Sequence, residues 1–457
     1  ETDNADAAFL AFDRLVSKLP AGVQLFSLLV TNPQLLTLLT RIMGAAPKLA
    51  ETIGRRPRVL DALMEPAFYD LVPDESDLDR RLAESLSEAR DYEDALDLAR
   101  IFGQEQIFLI GVRVLTGTLS AGQAGQAYAT LAEVVVRRLL AVVETELTRV
   151  HGRVRGGVAA VVALGKLGGR EMTASSDLDL MLLYDFDPTC EMSDGAKPLA
   201  PSQYYIRLTQ RLVAALSAPT AQGLLYEVDF RLRPSGNKGP MATRLVAFTD
   251  YHAKEAWTWE HMALTRARPI AGDPGFARVV ETAIRDVLVA ERDPEKLRAD
   301  VVEMRDLIRR EKGTRDPWDI KQIDGGLVDV EFVAQYLMLC HAPEHPDVLA
   351  TGTVPALARL TAAGLLDADT GEVLIPAMRL YQGLTQVLRM AADGAFVVSK
   401  APRGLLDLVT GIGEMPDFAH LEAHLVETEK AAHAAYEAIL GRPRGRRGEP
   451  PSRPRPA

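Results

Sequence analysis

Val158–Asp187 reads VAAVVALGKLGGREMTASSDLDLMLLYDFD. Its apolar, β-branched opening, Val158–Leu164, has the pattern of a buried strand. The run stops at Gly165-Lys166-Leu167-Gly168-Gly169, a glycine-rich loop with one lysine. A polar hinge then leads through Ser175-Ser176 into Asp177-Leu178-Asp179, and a second apolar strand, Leu180–Tyr184, follows. Alternation along a strand puts Asp177 and Asp179 on one face, with Leu178 on the other. Two neighbouring carboxylates repel, and burying them without a partner is costly. A divalent cation relieves the repulsion, and hard oxygen ligands suit Mg²⁺, which shares its coordination sphere with substrate phosphates. Glycines let backbone N–H groups come close to a phosphate chain. The stretch therefore reads as a site for a nucleoside triphosphate and a metal. The competing reading is a hairpin whose solvated face carries two aspartates. It does not explain why strand, glycine turn and Ser-Ser step fall in one register.

The loop is not a Walker loop, because its lysine lies between glycines and no G-x-x-x-x-G-K-[ST] occurs. A glycine pair followed by Asp-x-Asp instead resembles the DNA polymerase β-like nucleotidyltransferases. That likeness implies an α+β fold, with a small mixed sheet embedded in mainly helical N- and C-terminal bundles.

The 457 residues allow about two to four domains. With 47% hydrophobic and 25% charged residues, the composition is that of a soluble globular protein. No apolar run reaches the ~18 residues that cross a bilayer. Glu1–Ala8 is acidic and unlike a secretion signal. The chain does not begin with Met, as expected for a piece of something longer. Cys190 and Cys340 lack metal-ligand spacing and cannot form a disulfide framework, which points to a reducing cytoplasm. A net charge of −11 argues against wrapping nucleic acid.

Residues 1–153 read as a helical scaffold or docking region. Periodic apolar positions fall in Phe9–Leu19, Val23–Met43 and Leu131–Val150, and Ser76–Leu98 forms a charged, exposed helix. His151-Gly152 is a stop. Residues 154–271 form the α/β catalytic unit. A helix over Ser202–Leu216 precedes a third strand, Leu224–Leu232. There Asp229 shares a face with Glu227 and Arg231, and a third carboxylate beside the Asp-x-Asp pair is what two-metal phosphoryl transfer requires. Arg231 and Arg233, before the turn Pro234–Gly239, place cations where phosphates would lie. The competing reading is an edge strand with a solvated polar face.

Phe248–Arg268 reads as helix. Trp257 and Trp259 cannot share one of its faces, His261 is read as structural, and at most one of Arg266 and Arg268 can reach a ligand. Residues 272–440 continue as a helical bundle. In it, Asp324-Gly325-Gly326 precedes a helix Leu327–Cys340 with Leu327, Val330, Val333, Leu337 and Cys340 buried and Asp329, Glu331 and Gln335 off that stripe. Its glycine pair suits either an anion or a plain cap. Further helices are Val354–Gly364, Thr370–Asp393 and His420–Leu440. Residues 441–457, with six arginines and five prolines, read as a disordered tail.

Four stretches together, Gly165–Asp185, Val228–Gly236, Ala256–Arg268 (AWTWEHMALTRAR) and Gly325–Gln335 (GGLVDVEFVAQ), resemble the bacterial glutamine synthetase adenylyltransferases. That family duplicates a nucleotidyltransferase unit, one copy removing AMP from glutamine synthetase and the other attaching it. One such unit is present here, and its Ala-Trp-Thr-Trp-Glu-His wording is similar to the attaching copy. The resemblance implies Asp177, Asp179 and Asp229 as metal ligands, and Gly168, Gly169 and Ser176 as the triphosphate loop. It implies phosphate contacts for Lys166, Arg231 and Arg233. It also implies Mg²⁺ and ATP, with a tyrosine of glutamine synthetase as acceptor and the PII signalling protein as partner. The alternatives are the adenylyl-removing unit, a small-molecule nucleotidyltransferase, a nucleotide-adding RNA polymerase and a helical interaction module without catalysis.

Overall fold

The computed structural model describes residues 13, 29–30, 33–56, 58–63, 68, 73–391 and 394–441. Two apolar runs make the centre of a five-stranded mixed sheet. Strand β1 is Val158–Ala163 and β2 is Leu178–Asp185, antiparallel, with Val158 opposite Asp185 and Ala163 opposite Leu180. Both are buried along nearly their whole length, which is why they read as continuous apolar runs and not as alternating ones. Two short strands, β3 (Val228–Asp229) and β4 (Ala242–Arg244), lie parallel to β2 at its start and its end. Strand β5, Arg268–Gly272, runs antiparallel to β1 on the other side. Helices Ala121–His151, Pro201–Ser217 and Pro274–Leu288 pack on this sheet.

The expected strand Leu224–Leu232 is only two residues long. Chain reversal cuts it short. Gly236 N–H donates to the Arg233 carbonyl, and Ser235 and Gly236 adopt left-handed conformations at φ 61° and 51°. The expected helix Phe248–Arg268 is likewise two helices, Leu245–Lys254 and Thr258–Leu264, and Arg268 already belongs to β5. Glu260 restarts the helix by accepting from Trp257 N–H at 2.9 Å, three residues before it. In the same way Asp91 accepts from Asp94 N–H and divides the charged stretch 76–98 between helices Glu75–Ser87 and Tyr92–Leu115.

The long helix ends as its sequence implies, at Gly152 with φ 68°. The later helices are Pro294–Lys312, Leu327–His341, Thr353–Ala362, Ala368–Ala391, Arg403–Ile412 and Phe418–Leu440. On Leu327–His341 the apolar stripe is buried as expected apart from half-buried Cys340, but Asp329 is buried with it. The helix expected over Phe9–Leu19 and the tail beyond Gly441 lie outside the described residues, as does most of 1–32. Among the described residues no helix is long and apolar enough to cross a membrane.

Candidate active site

Three carboxylates meet at the end of the sheet where β2 begins. Asp179 is the second residue of β2, and its register partner on β3 is Asp229, so parallel pairing sets the two side by side. Asp177 precedes the strand. Each of the three offers an oxygen within 4.8 Å of the others. Burial, then the charges of Asp177 and Asp229, pushes the Asp179 carboxyl up to about 6, against the opposing pull of Arg266 and Lys321. Burial acts to raise Asp229 as well, but Arg231 wins. Its Nε and its backbone N–H each donate to that carboxylate at 2.7 Å and hold it below the usual range. Asp177 and Asp229 line an open cleft of about 380 Å³ with Glu227, Arg231 and Asn237. Three mutually repelling carboxylates at one open edge make a hard-oxygen donor set that suits Mg²⁺.

Gly165 is the glycine that this centre needs. It has φ +51°, and a Cβ there would clash with Asp179 Oδ2. Leu164 N–H donates to the Asp179 carbonyl at 2.9 Å, fastening the loop to β2. Replacing Gly165 with Ala is expected to shift the carboxylate and weaken Mn²⁺ binding about tenfold, as loss of support around a metal ligand does. A Mn²⁺ titration with the far-UV circular dichroism unchanged checks it.

Gly168 and Gly169, which the resemblance implies in the triphosphate loop, are also held tightly within the fold. Their N–H groups donate to the Leu164 and Gly165 carbonyls, and a Cβ at either would strike Arg266. Ser176 Oγ accepts from Thr173 N–H at 2.9 Å and fixes the turn ahead of Asp177. Arg233 touches the same cleft but is buried, donating to the Phe230 and Pro240 carbonyls, so its guanidinium closes its own turn. Lys166 does not line the cleft of Asp177 and Asp229 but a separate cavity, with Lys321 and Arg389.

Arg266 and Arg268 are both occupied by carboxylates, and neither is free for a ligand. Buried Arg266 pairs with Glu171 and, at 2.7 Å, with Glu331; Arg268 pairs with Glu133 and donates to the Gly168 carbonyl. Glu171 also accepts from Thr353 N–H at 2.7 Å, and Gln386 donates to the Met172 carbonyl at 2.6 Å. The hinge between the glycine loop and Asp177 is thereby clamped by the C-terminal helices. Sequence spacing does not reveal these pairs, because their partners lie 65 to 214 residues apart.

A second acidic group, Asp324 and Asp329 with His433, is already neutralised. Asp329 pairs with Arg305, both fully buried, and accepts from Gly325 N–H at 2.6 Å; Arg309 donates to Asp324 at 2.6 Å. Gly325 is left-handed at φ +79°, and a Cβ would clash with the Glu429 carbonyl. Gly325 therefore serves packing and gives its N–H to Asp329 of the helix that follows, while Gly326 N–H donates to the Ile323 carbonyl. Nearby Glu429 is pushed up to about 8 by burial and then by Asp316, and its Oε1 is buried without a hydrogen bond. A carboxyl raised in the folded state binds its proton more tightly than in the unfolded chain. Stability from this group is thus full below the ordinary value of 4.5 and is lost as pH rises toward 8. Glu429→Gln should therefore raise the melting temperature at pH 8.5 and have little effect near pH 4. Melting curves of both proteins across that range decide it.

Residues 36–282 match the family model described as glutamate-ammonia ligase adenylyltransferase, and residues 297–396 match one described as GlnD PII-uridylyltransferase. Among curated relatives, the bifunctional glutamine synthetase adenylyltransferase/adenylyl-removing enzyme of Brucella melitensis is 50% identical over 442 residues, 96% of this chain and 45% of that one. The protein of the same name from Xanthobacter autotrophicus is 51% identical over 436 residues, 95% of this chain and 44% of that one. The chain thus spans a little under half the length of these relatives. On the strength of the first match, which takes in the sheet and all three aspartates, the chain belongs to the glutamate-ammonia ligase adenylyltransferase family.

Proposed function

We propose that this chain is a Mg²⁺-dependent adenylyltransferase unit that attaches AMP from ATP to a tyrosine hydroxyl of glutamine synthetase. The observation that carries this reading is the convergence of Asp177, Asp179 and Asp229 within 4.8 Å of one another, with Asp177 and Asp229 lining an open cleft. Relatives named for this transfer support the choice of acceptor protein. Residues 154–271 form the catalytic unit, between a helical region before it and the helical bundle 272–440.

In this reading Asp177, Asp179 and Asp229 hold the metal, which when bound polarises the α-phosphate and offsets the charge of the carboxylates. The phenolic oxygen forms a bond to the α-phosphorus, and the bond from that phosphorus to the bridging oxygen of the β-phosphate breaks. A carboxylate of the centre orients the phenolic O–H and takes its proton, and pyrophosphate leaves. Exposed Arg231, whose side chain reaches Asp229, swings to the phosphates once that carboxylate is shared. Ser176 keeps Asp177 in place through its turn. The PII protein is a regulatory partner, and the cytoplasm is the working compartment.

Relatives of this chain are named for both directions, so removal of AMP by phosphorolysis is the second reading. The wording Ala256–His261, where Trp257 stands 62% exposed, favours attachment. Incubation with α-labelled ATP, Mg²⁺ and glutamine synthetase is expected to label the glutamine synthetase chain. ADP release from adenylylated glutamine synthetase and phosphate, without any labelling from ATP, would reverse the direction assigned here.

A further inference from the structure

One wall of the cleft beside Asp177 and Asp229 has a build that the transfer steps above do not use. The turn Pro234–Gly239 brings Asn237 to that cleft, next to Arg231. Asn237 is exposed, and its side-chain amide makes no hydrogen bond among the described residues. The turn that presents it is fixed from both sides. From within, buried Arg233 donates to the Phe230, Pro240 and Gly239 carbonyls at 2.6, 3.0 and 3.3 Å. Ser235 keeps a left-handed conformation at φ 61°, strained for a residue with a side chain and kept only where its surroundings impose it.

From outside, the Tyr251 hydroxyl donates to the Glu260 carboxylate at 2.8 Å. Burial and then Glu260 push that hydroxyl up to about 12, and the Ser235 backbone, beside the same oxygen, opposes the shift. Glu260 is buried and also accepts from Trp257 N–H at 2.9 Å. A chain of contacts thus runs from the turn of Asn237 to Trp257, a large apolar residue left 62% exposed.

In-line displacement puts the incoming oxygen opposite the leaving group. The glycine loop, through Gly165, adjoins Asp179, whereas the open cleft is lined by Asp177 and Asp229. The cleft is therefore the side from which the acceptor approaches. An exposed tryptophan near an unpaired amide combines the apolar anchor and the polar contact that protein interfaces use.

We propose that the turn Pro234–Gly239 and Trp257 form the docking face for the acceptor protein, glutamine synthetase. Asn237 contacts the backbone beside the acceptor tyrosine, and Tyr251 and Glu260 are positioning residues that hold the face beside Asp229. The proposal rests on the adenylyl-transfer reading above and holds for either direction, because attachment and removal present the same segment of the acceptor.

Binding of the whole chain to immobilised glutamine synthetase, with Mg²⁺ and a non-hydrolysable ATP analogue, tests this beside steady-state AMP transfer. Trp257→Ala should weaken binding about thirtyfold, as loss of an interface anchor does. Asn237→Ala should weaken it about fivefold and Tyr251→Phe about threefold, each the loss of one hydrogen bond. Glu260→Gln keeps an acceptor for both Tyr251 and Trp257 and should stay within about twofold of wild type. In the transfer assay the KM for glutamine synthetase should rise by the same factors while kcat and the KM for ATP hold, a split that general loosening of the fold does not produce. Matching melting curves establish that the variants fold. Binding that is absent, or equal in wild type and variants, overturns the proposal, as does a KM for ATP that rises in step. Binding that depends on these residues in a protein that transfers no AMP supports the docking face and counts against the adenylyl-transfer reading alone.

Discussion

Asp179→Asn should abolish AMP transfer, by more than about a thousandfold, while making the metal-free protein more stable. The first effect follows from losing a metal ligand at the point where charge develops, worth several kcal/mol. The second follows from the Asp179 carboxyl, which is pushed from 3.8 up to about 6 by burial and by its two acidic neighbours. Because the folded protein favours the protonated form, this group's contribution to stability falls as pH rises from about 4 to 6. An uncharged Asn escapes that loss. In chelator at pH 7.5 the variant should therefore melt above the wild type, with the gap closing as pH approaches 4. Mg²⁺ should reverse the order by stabilising only the wild type. Calorimetry in the two conditions, beside a transfer assay, checks all three parts. An Asn variant that is inactive but unfolded would contradict the explanation.

The largest loss of stability is expected at Arg266. Its guanidinium is buried between Glu171 and Glu331 and lies against Gly168 and Gly169. Arg266→Leu leaves two nearly buried carboxylates facing each other and should cost about 3–5 kcal/mol. Adding Glu171→Gln and Glu331→Gln should restore much of that stability, because breaking such a network costs more than the intact network contributes. Denaturant unfolding of the single and triple variants measures it. A single variant as stable as the wild type would show that the clamp between glycine loop and helical bundle is ornamental.

Much of the centre was legible because its signals are local. A continuous apolar run, a glycine turn and Asp-x-Asp lie within thirty consecutive residues, 158 to 187, and strand periodicity fixes which of them share a face. Asp229 was found by the same alternation, although only two residues of its strand pair with β2. Local reasoning failed where partners come from far along the chain. It does not show that Gly168 and Gly169 also make room for Arg266. It placed Asp329 off the buried stripe when Arg305 draws it inside. One cue was available for Glu171, Arg266 and Glu331: charged residues inside otherwise apolar stretches tend to find each other when buried.

In the adenylyl-transfer proposal Asp177, Asp179 and Asp229 hold one metal centre. Crystals of the chain soaked with Mn²⁺ and a non-hydrolysable ATP analogue test it directly, through the anomalous difference density of manganese. A peak is expected among those three carboxylates, at about 2.0–2.2 Å from their oxygens, with phosphate oxygens completing the shell. A peak elsewhere, or analogue bound with Arg231 still closed on Asp229 and no manganese beside it, would contradict it.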